Sequence, residues 1–254
     1  MGFLSSLFKQ KKTEEELSPI NLSKYIQADM HSHILPGIDD GAKNIDQSIK
    51  LIEGLQEIGF SQLLCTPHVM SDFYRNSTET INKKLDIVRN EIDKRNIKIN
   101  IDASAEYYFD EELIKRLRDK DILSFGKENY LLFEFSYFNE HQSIFEIITD
   151  IIQAGYTPIL AHPERYPYYV MNLEKFDHIK SMGVKFQINL LSLAGNYGDT
   201  AIYGANYLID KNFVDFIGTD LHKYAQLEHL KKALKNEHLH KLINSNTLLN
   251  HTLV

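Results

Sequence analysis

Five of the eleven histidines follow one pattern. They are His31 and His33 in His31-Ser32-His33, His68 after Thr66-Pro67, His162 in Ala161-His162-Pro163-Glu164-Arg165, and His222 in Asp220-Leu221-His222. Each stands just past a short apolar run, as do Glu106 and Asp220, and Glu134 lies inside another. Residues two apart on an extended chain point the same way, so His31 with His33, and Asp220 with His222, are natural chelates. Imidazole and carboxylate without thiolate suit manganese, iron, cobalt or zinc and argue against a structural cysteine-type zinc site. The loop Leu35-Pro36-Gly37-Ile38-Asp39-Asp40-Gly41 adds two carboxylates, one expected to coordinate and the other to cap a turn or orient a histidine. With Asp40 counted, the donors are His31, His33, Asp40, His68, Glu106, Glu134, His162, Asp220 and His222. That set is too large for one ion with an open position, so two or three ions are expected. Four carboxylates against three divalent ions leave about +2, an anion trap in an acidic chain, and phosphate is the guest it suits. Arg165 shares a loop with His162 and could clamp phosphate with its planar fork; the plainer alternative pairs it with Glu164 or solvent.

For any single histidine the ordinary reading is a satisfied polar group with no chemical role. Taken jointly that reading fails. The other six, His141, His178, His229, His238, His240 and His251, lie in helical segments or the tail and read as surface residues. Tyr107, Tyr108, Phe109, Tyr137, Phe138, Tyr166, Tyr168 and Tyr169 fall around the same rim, a density that suits an aromatic leaving group.

Strands must deliver these side chains. Short β-rich runs at Ile26–His31, Gln62–Thr66, Ile97–Ala103, Tyr130–Phe135, Pro158–Ala161, Val184–Asn189 and Val214–Thr219 alternate with helical periodicity. Ile45, Ile49, Ile52, Leu55 and Ile58 recur at steps of three and four, as do Ile144, Ile147, Ile148, Ile151 and Ile152, so both segments read as amphipathic helices. Gly59, Gly155 and Gly183, with Asn96 and Asn212, punctuate the helix-to-strand joints as left-handed caps. A β-α unit repeated seven times predicts an α/β chain of parallel strands. Donors collected from nearly every strand end require those ends in a ring, so the expected architecture is a seven-stranded (β/α) barrel with its site at the carboxyl ends of the strands.

The chain has 254 residues, 43% hydrophobic and 25% charged, with a formal charge of −7. Collagen-like, disulfide-framework and membrane-spanning classes are excluded, and no basic footprint supports a nucleic-acid partner. The single cysteine, Cys65, cannot form an intramolecular disulfide and reads as core. A cysteine-based phosphatase would need an arginine six positions later, where Ser71 stands. Residues 1–25 read as a leader and residues 26–254 as a single domain. The leader is not a signal peptide and is too short to span a bilayer. Gly2 and Ser6 match an N-myristoylation pattern, and Phe3, Leu4, Leu7 and Phe8 followed by Lys9, Lys11 and Lys12 could touch an anionic membrane. The simpler alternative is a frayed leader ending near Ser18-Pro19. From Leu230 onward the tail reads as a terminal helix with Lys231, Lys232, Lys235 and Lys241 solvated.

In order along the chain, HSHILPGIDDG, TPH, SAEYYFD, LFEFS, AHPERY and GTDLH resemble the motifs of the PHP-superfamily protein-tyrosine phosphatases of bacterial capsule and exopolysaccharide operons. The resemblance covers roughly Ala28 to His222. It implies a distorted TIM-like barrel and a metal-dependent phosphatase, usually using manganese. It implies a partner too, the phosphotyrosine tail of a tyrosine autokinase of polysaccharide synthesis, and so a cytoplasmic position near the inner face of the membrane. By the same resemblance the nine donors are the ligands of a three-metal site and Arg165 binds phosphate; Arg165, Asp220 and His222 are the residues expected to be catalytic. Alternatives from the residues are another phosphoesterase of that superfamily, such as a histidinol-phosphate phosphatase, or a metal-dependent amidohydrolase; a non-catalytic phosphotyrosine-binding adaptor is the non-enzymatic alternative.

Overall fold

The computed structural model describes residues 17–245 and 247–253. The myristoylation pattern at Gly2 and Ser6 and the apolar and basic residues after it lie outside the described residues. Among the described residues nine strands form: β1 (Ala28–Asp29), β2 (Gln62–Cys65), β3 (His68–Val69), β4 (Asn100–Ala103), β5 (Glu106–Tyr108), β6 (Tyr130–Glu134), β7 (Thr157–Ala161), β8 (Lys185–Asn189) and β9 (Phe216–Gly218). Every pairing between them is parallel, in the orders β1-β2-β4 and β3-β5-β6-β7-β8-β9.

Nine strands stand where seven runs are expected because β3 and β5 form just beyond the runs Gln62–Thr66 and Ile97–Ala103. Thr66-Pro67 separates β2 from β3, and Ser104-Ala105 separates β4 from β5; a proline has no N–H to give to a ladder. The two broken staves still touch across the gap, Ser104 N donating to Cys65 O at 2.8 Å and Glu106 N to Pro67 O at 3.1 Å. Closure comes beyond β1 and β9, where Ser32 bridges Leu221 in parallel, Asp220 N donates to His31 O at 2.7 Å and His33 N to Leu221 O at 3.0 Å. Lower on the same seam, buried Asp29 accepts from Thr219 N at 2.9 Å and Thr219 Oγ1 at 2.6 Å, while its burial pushes its carboxyl up to about 6. The result is the distorted seven-stave barrel expected.

The helix Ile45–Ile58 has the span its periodicity predicts, capped by Asn44 at one end and left-handed Gly59 at the other, with Ile49, Ile52 and Leu55 buried. Gly155, Gly183, Asn96 and Asn212 also take positive φ. Inside the ring, the strands contribute both apolar and polar side chains. Met30, Tyr130, Leu132, Ile159, Ala161 and Phe216 form a separate apolar cluster, whereas Glu134 follows Leu132 by two residues on β6, and β8 supplies Gln187, level with Ala161 and Phe216, and then Asn189. Polar side chains thus gather at the carboxyl end above an apolar plug, the arrangement that period-two alternation in a barrel produces.

Two segments depart from the sequence reading. The proposed leader boundary at residue 25 cuts through packed chain, because Ile20 and Leu22 are buried and Ile20 N donates to Leu234 O at 2.9 Å. The tail is not one helix: Leu227–Ala233 and Glu237–Ser245 are followed by a 3-10 turn, Asn250–Leu253. That turn closes the amino end of the barrel. Buried Asn250 donates to Ala28 O at 3.0 Å and Ile217 O at 2.7 Å and accepts from Ile217 N at 3.0 Å, so its amide stands in for a ladder between β1 and β9. An Asn250→Ala protein, which leaves these backbone groups unpaired, is expected to lose about 3 kcal/mol of stability. A urea unfolding midpoint equal to that of the parent would remove this role. No helix among the described residues is long and apolar enough to cross a membrane.

Candidate metal centre

All nine donors meet at the carboxyl end of the barrel. Four overlapping groups have donor atoms within 4.8 Å of one another: His33, Asp40, His68 and His222; His31, His33 and Asp220; His31, Glu106 and His162; and His68, Glu106 and Glu134. Glu106 joins two of them. Its Oε2 lies 3.3 Å from His31 Nε2, 3.5 Å from His33 Nε2 and 3.0 Å from His68 Nδ1, and its Oε1 lies 2.8 Å from His162 Nε2. Asp220 Oδ1 is 3.5 Å from His31 Nε2 and 3.3 Å from His33 Nε2. Asp40, the exposed member, places Oδ1 3.6 Å from His68 Nε2 and 3.4 Å from His222 Nε2.

These separations fit divalent ions. Ligands at roughly 2.0–2.2 Å from a tetrahedral or octahedral ion lie about 3.0–3.5 Å from one another. Buried His68 Nδ1, His162 Nδ1 and Glu106 Oε2 make no hydrogen bond to the protein, although groups so placed are normally satisfied. The local field favours positive charge. Burial alone pushes the imidazoles down, yet Glu106 and Asp220 hold His31 above its usual range, Asp39 holds His33 well above it, and Glu106 raises His68 to about 10. Against the opposing effect of burial, His31 and His68 hold Glu106 well below the usual carboxylate range, and His31 and His222 do so for Asp220.

Backbone strain aims two of the donors. His162 has φ 35° and Asp220 φ 51°, left-handed values that ordinary side chains seldom adopt and that cluster at functional sites. Close packing fixes the first chelate: a Cβ at Gly218 would lie 2.6 Å from His31 Cβ, and one at Gly41 would lie 2.0 Å from His33 O. Of the aspartate pair, Asp39 is the one that holds His33. Its Oδ2 lies 2.9 Å from His33 Nδ1 while its Oδ1 accepts from Gly41 N at 2.9 Å.

Arg165 pairs with Asp220, Nη1 to Oδ2 at 2.9 Å, and not with Glu164. Glu164 is fully buried and accepts from Asn189 N and Ser192 Oγ, pinning the loop that carries Arg165. The guanidinium lies between two rings, its Cζ 4.5 Å from the centroid of Tyr137 and 4.0 Å from that of Tyr197. Tyr137 also places its hydroxyl 3.2 Å from Glu134 Oε2 and 3.3 Å from His162 Nε2.

Three contributors escape the sequence reading, which finds no role for β8. Gln187 Oε1 lies 2.8 Å from His31 Nδ1, its amide donates to Asn189 Oδ1 at 2.8 Å, and Asn189 Nδ2 donates to Asp220 Oδ2 at 2.7 Å. This chain links both sides of the cluster. Gln187-Ile188-Asn189 carries the same two-residue spacing as the histidine pair, a signal available but unused. Tyr197 follows a short helix and had none. The aromatic rim is thinner than expected: Tyr107, Tyr166 and Tyr169 are fully buried core, whereas Phe138 is exposed. The six remaining histidines are exposed or partly exposed and stand apart from the cluster. Cys65 is fully buried, and burial raises its thiol.

A family model described as capsular polysaccharide synthesis, CpsB/CapC, matches residues 27–247. The chain belongs to the CpsB/CapC family. Among its relatives, the putative tyrosine-protein phosphatase CapC of Staphylococcus aureus is 29% identical over 209 residues, 82% of each chain. A chain from the crystal structures of YwqE from Bacillus subtilis and CpsB from Streptococcus pneumoniae, described as unique metal-dependent tyrosine phosphatases, matches with a TM-score of 0.74. It is 26% identical and the match covers 87% of this chain and 92% of that one. Histidinol phosphate phosphatase from Lactococcus lactis, solved with zinc, L-histidinol and phosphate, has a TM-score of 0.53 at 13% identity, covering 83% and 93%; that likeness is one of fold. The CpsB/CapC assignment bears out the resemblance read from the six motifs, and the structure bears out the parallel α/β barrel class.

Proposed function

We propose that this CpsB/CapC chain is a metal-dependent protein-tyrosine phosphatase of capsular or exopolysaccharide synthesis. Its substrate is the phosphotyrosine tail of a polysaccharide-synthesis tyrosine kinase, met at the cytoplasmic face of the membrane. The convergence of nine nitrogen and oxygen donors beside a caged arginine carries this reading, and the relatives described as tyrosine phosphatases favour it over histidinol-phosphate or amide hydrolysis. His31, His33, Asp40, His68, Glu106, Glu134, His162, Asp220 and His222 hold two or three ions, manganese by preference, with iron, cobalt or zinc suiting the same donors. Bound ions supply a water-derived nucleophile near neutral pH and neutralise phosphoryl charge.

The remaining tasks fall to the chain. Arg165 presents its free N–H groups to the phosphoryl oxygens, held flat by Tyr137 and Tyr197. Gln187, Asn189 and Asp39 keep His31, Asp220 and His33 in register, as outer hydrogen-bond partners of metal ligands do. Cys65 is fully buried and takes no covalent part.

Purified protein is expected to hydrolyse phosphotyrosine peptides, to lose that activity in EDTA, to regain it with manganese, and to be indifferent to iodoacetamide. Activity that survives chelation and is abolished by alkylation would reverse the assignment. Faster turnover of histidinol phosphate than of the peptide in the same assay would move the chain to the alternative phosphoesterase class.

A further inference from the structure

Two of the most exposed apolar side chains flank the entrance to the donor cluster. Phe73 is 75% exposed and Phe138 is 89% exposed, and both line one cavity of about 420 Å³ with Met70, Tyr108, Arg165 and several of the donors. A single exposed phenylalanine is unremarkable, but two bordering the same polar pocket form an apolar collar.

Neither ring is exposed because its loop is loose. Around Phe73, Met70 N donates to Tyr74 O at 2.9 Å, Ser71 N to Asp110 Oδ2 at 2.8 Å and Arg75 Nε to Ser71 O at 2.6 Å. Phe138 N donates to Ser136 Oγ at 3.2 Å, and Tyr168 OH fixes Ser136 O at 2.7 Å. These bonds tie both loops to the fold beside the cavity that Phe73 and Phe138 line.

We infer that Phe73 and Phe138 are the specificity residues of this site, gripping the aryl ring of a phosphotyrosine between them while the phosphoryl group reaches Arg165 and the donors below. This rests on the phosphatase reading above and deepens it. With phosphorus on the pocket floor, the group crossing the collar depends on the ester. A tyrosyl ester puts an aromatic ring there, which offset or edge-on contact with Phe73 and Phe138 holds. A seryl ester has no ring to offer and brings polar peptide backbone toward the same apolar walls. Ring contacts formed equally in ground and transition states act on KM more than on kcat.

The experiment compares one peptide sequence carrying phosphotyrosine or phosphoserine, with the manganese-loaded parent, Phe73→Ala, Phe138→Ala and the double variant. Each single variant is expected to raise KM for the phosphotyrosine peptide roughly tenfold. The double variant should lose most of the preference over phosphoserine, keep kcat within a factor of a few and retain its metal content. Phe138→Tyr, which keeps a ring, should restore KM. Unchanged KM in the double variant, or a parallel fall for both peptides, would overturn the collar while leaving the phosphatase reading intact. A parent that hydrolyses neither peptide would instead overturn the phosphatase reading, and the collar with it.

Discussion

A Glu106→Gln protein is expected to fold, to lose most of its bound metal and to turn over phosphotyrosine peptides at least about 10³-fold more slowly than the parent. The reasoning begins with shape. Glutamine fills the same fully buried space, so the barrel above the apolar plug keeps its packing. Chemistry at the centre nevertheless changes completely. One oxygen of Glu106 faces His31, His33 and His68, and the other faces His162. Only an anion with two acceptor oxygens can serve two donor groups at once, and an amide turns one acceptor into a donor aimed at an imidazole. Glu106 also leads the charges that raise His31 and His68. These imidazoles must be deprotonated to ligate, so metal uptake by the parent should release protons and tighten as pH rises. Uptake by Glu106→Gln should release fewer, because the proton-bound imidazoles have lost their counter-charge. Elemental analysis, calorimetric proton release in two buffers and peptide turnover check this together. Full metal occupancy with parental turnover would show that the cluster does not depend on its bridge.

How much of this was legible in the chain follows from which forces are local. The helix Ile45–Ile58 and the left-handed joints at Gly59, Asn96, Gly155, Gly183 and Asn212 depend on periodicity and backbone sterics, which a sequence displays directly. Donor residues at strand ends were legible for a related reason: a parallel β/α unit sends its strand termini to one face whatever the details of packing. Interruptions at Thr66-Pro67 and Ser104-Ala105 do not announce a switch of sheet, because the sheet a strand joins depends on partners distant in sequence. Asn250 was opaque in the same way, since its value lies in spanning β1 and β9 from the far end of the chain. The position of Tyr107, Tyr166 and Tyr169 in or just after strand and loop motifs points to the rim, yet all three are buried. Tyr107 OH accepts from Leu123 N at 2.7 Å and Tyr166 OH from Phe135 N at 3.0 Å, so a tyrosine can be wholly interior without stranding its oxygen. Sequence spacing reveals which way a side chain alternates; it does not reveal what covers it.

Replacing Arg165 with alanine is expected to leave metal content unchanged while lowering kcat/KM for phosphotyrosine peptides by about 10²–10³-fold, in the range found when one preorganised charge donor is removed. Separation of these two outcomes follows from the bonding of Asp220. Its Oδ1 faces His31 and His33, whereas the Oδ2 that receives Arg165 also accepts from Asn189 Nδ2 at 2.7 Å and Tyr197 OH at 3.4 Å. Removing the guanidinium therefore leaves the carboxylate anchored, and the ligating edge need not turn. What disappears is a planar cation held between Tyr137 and Tyr197 with part of its fork directed into the cavity. Arg165→Lys should recover little, because an ammonium restores the charge but neither the two-point contact nor the stacking between rings. Kinetics indistinguishable from the parent would confine Arg165 to its pairing with Asp220; loss of metal along with turnover would make it a support of the cluster and not a clamp on phosphate.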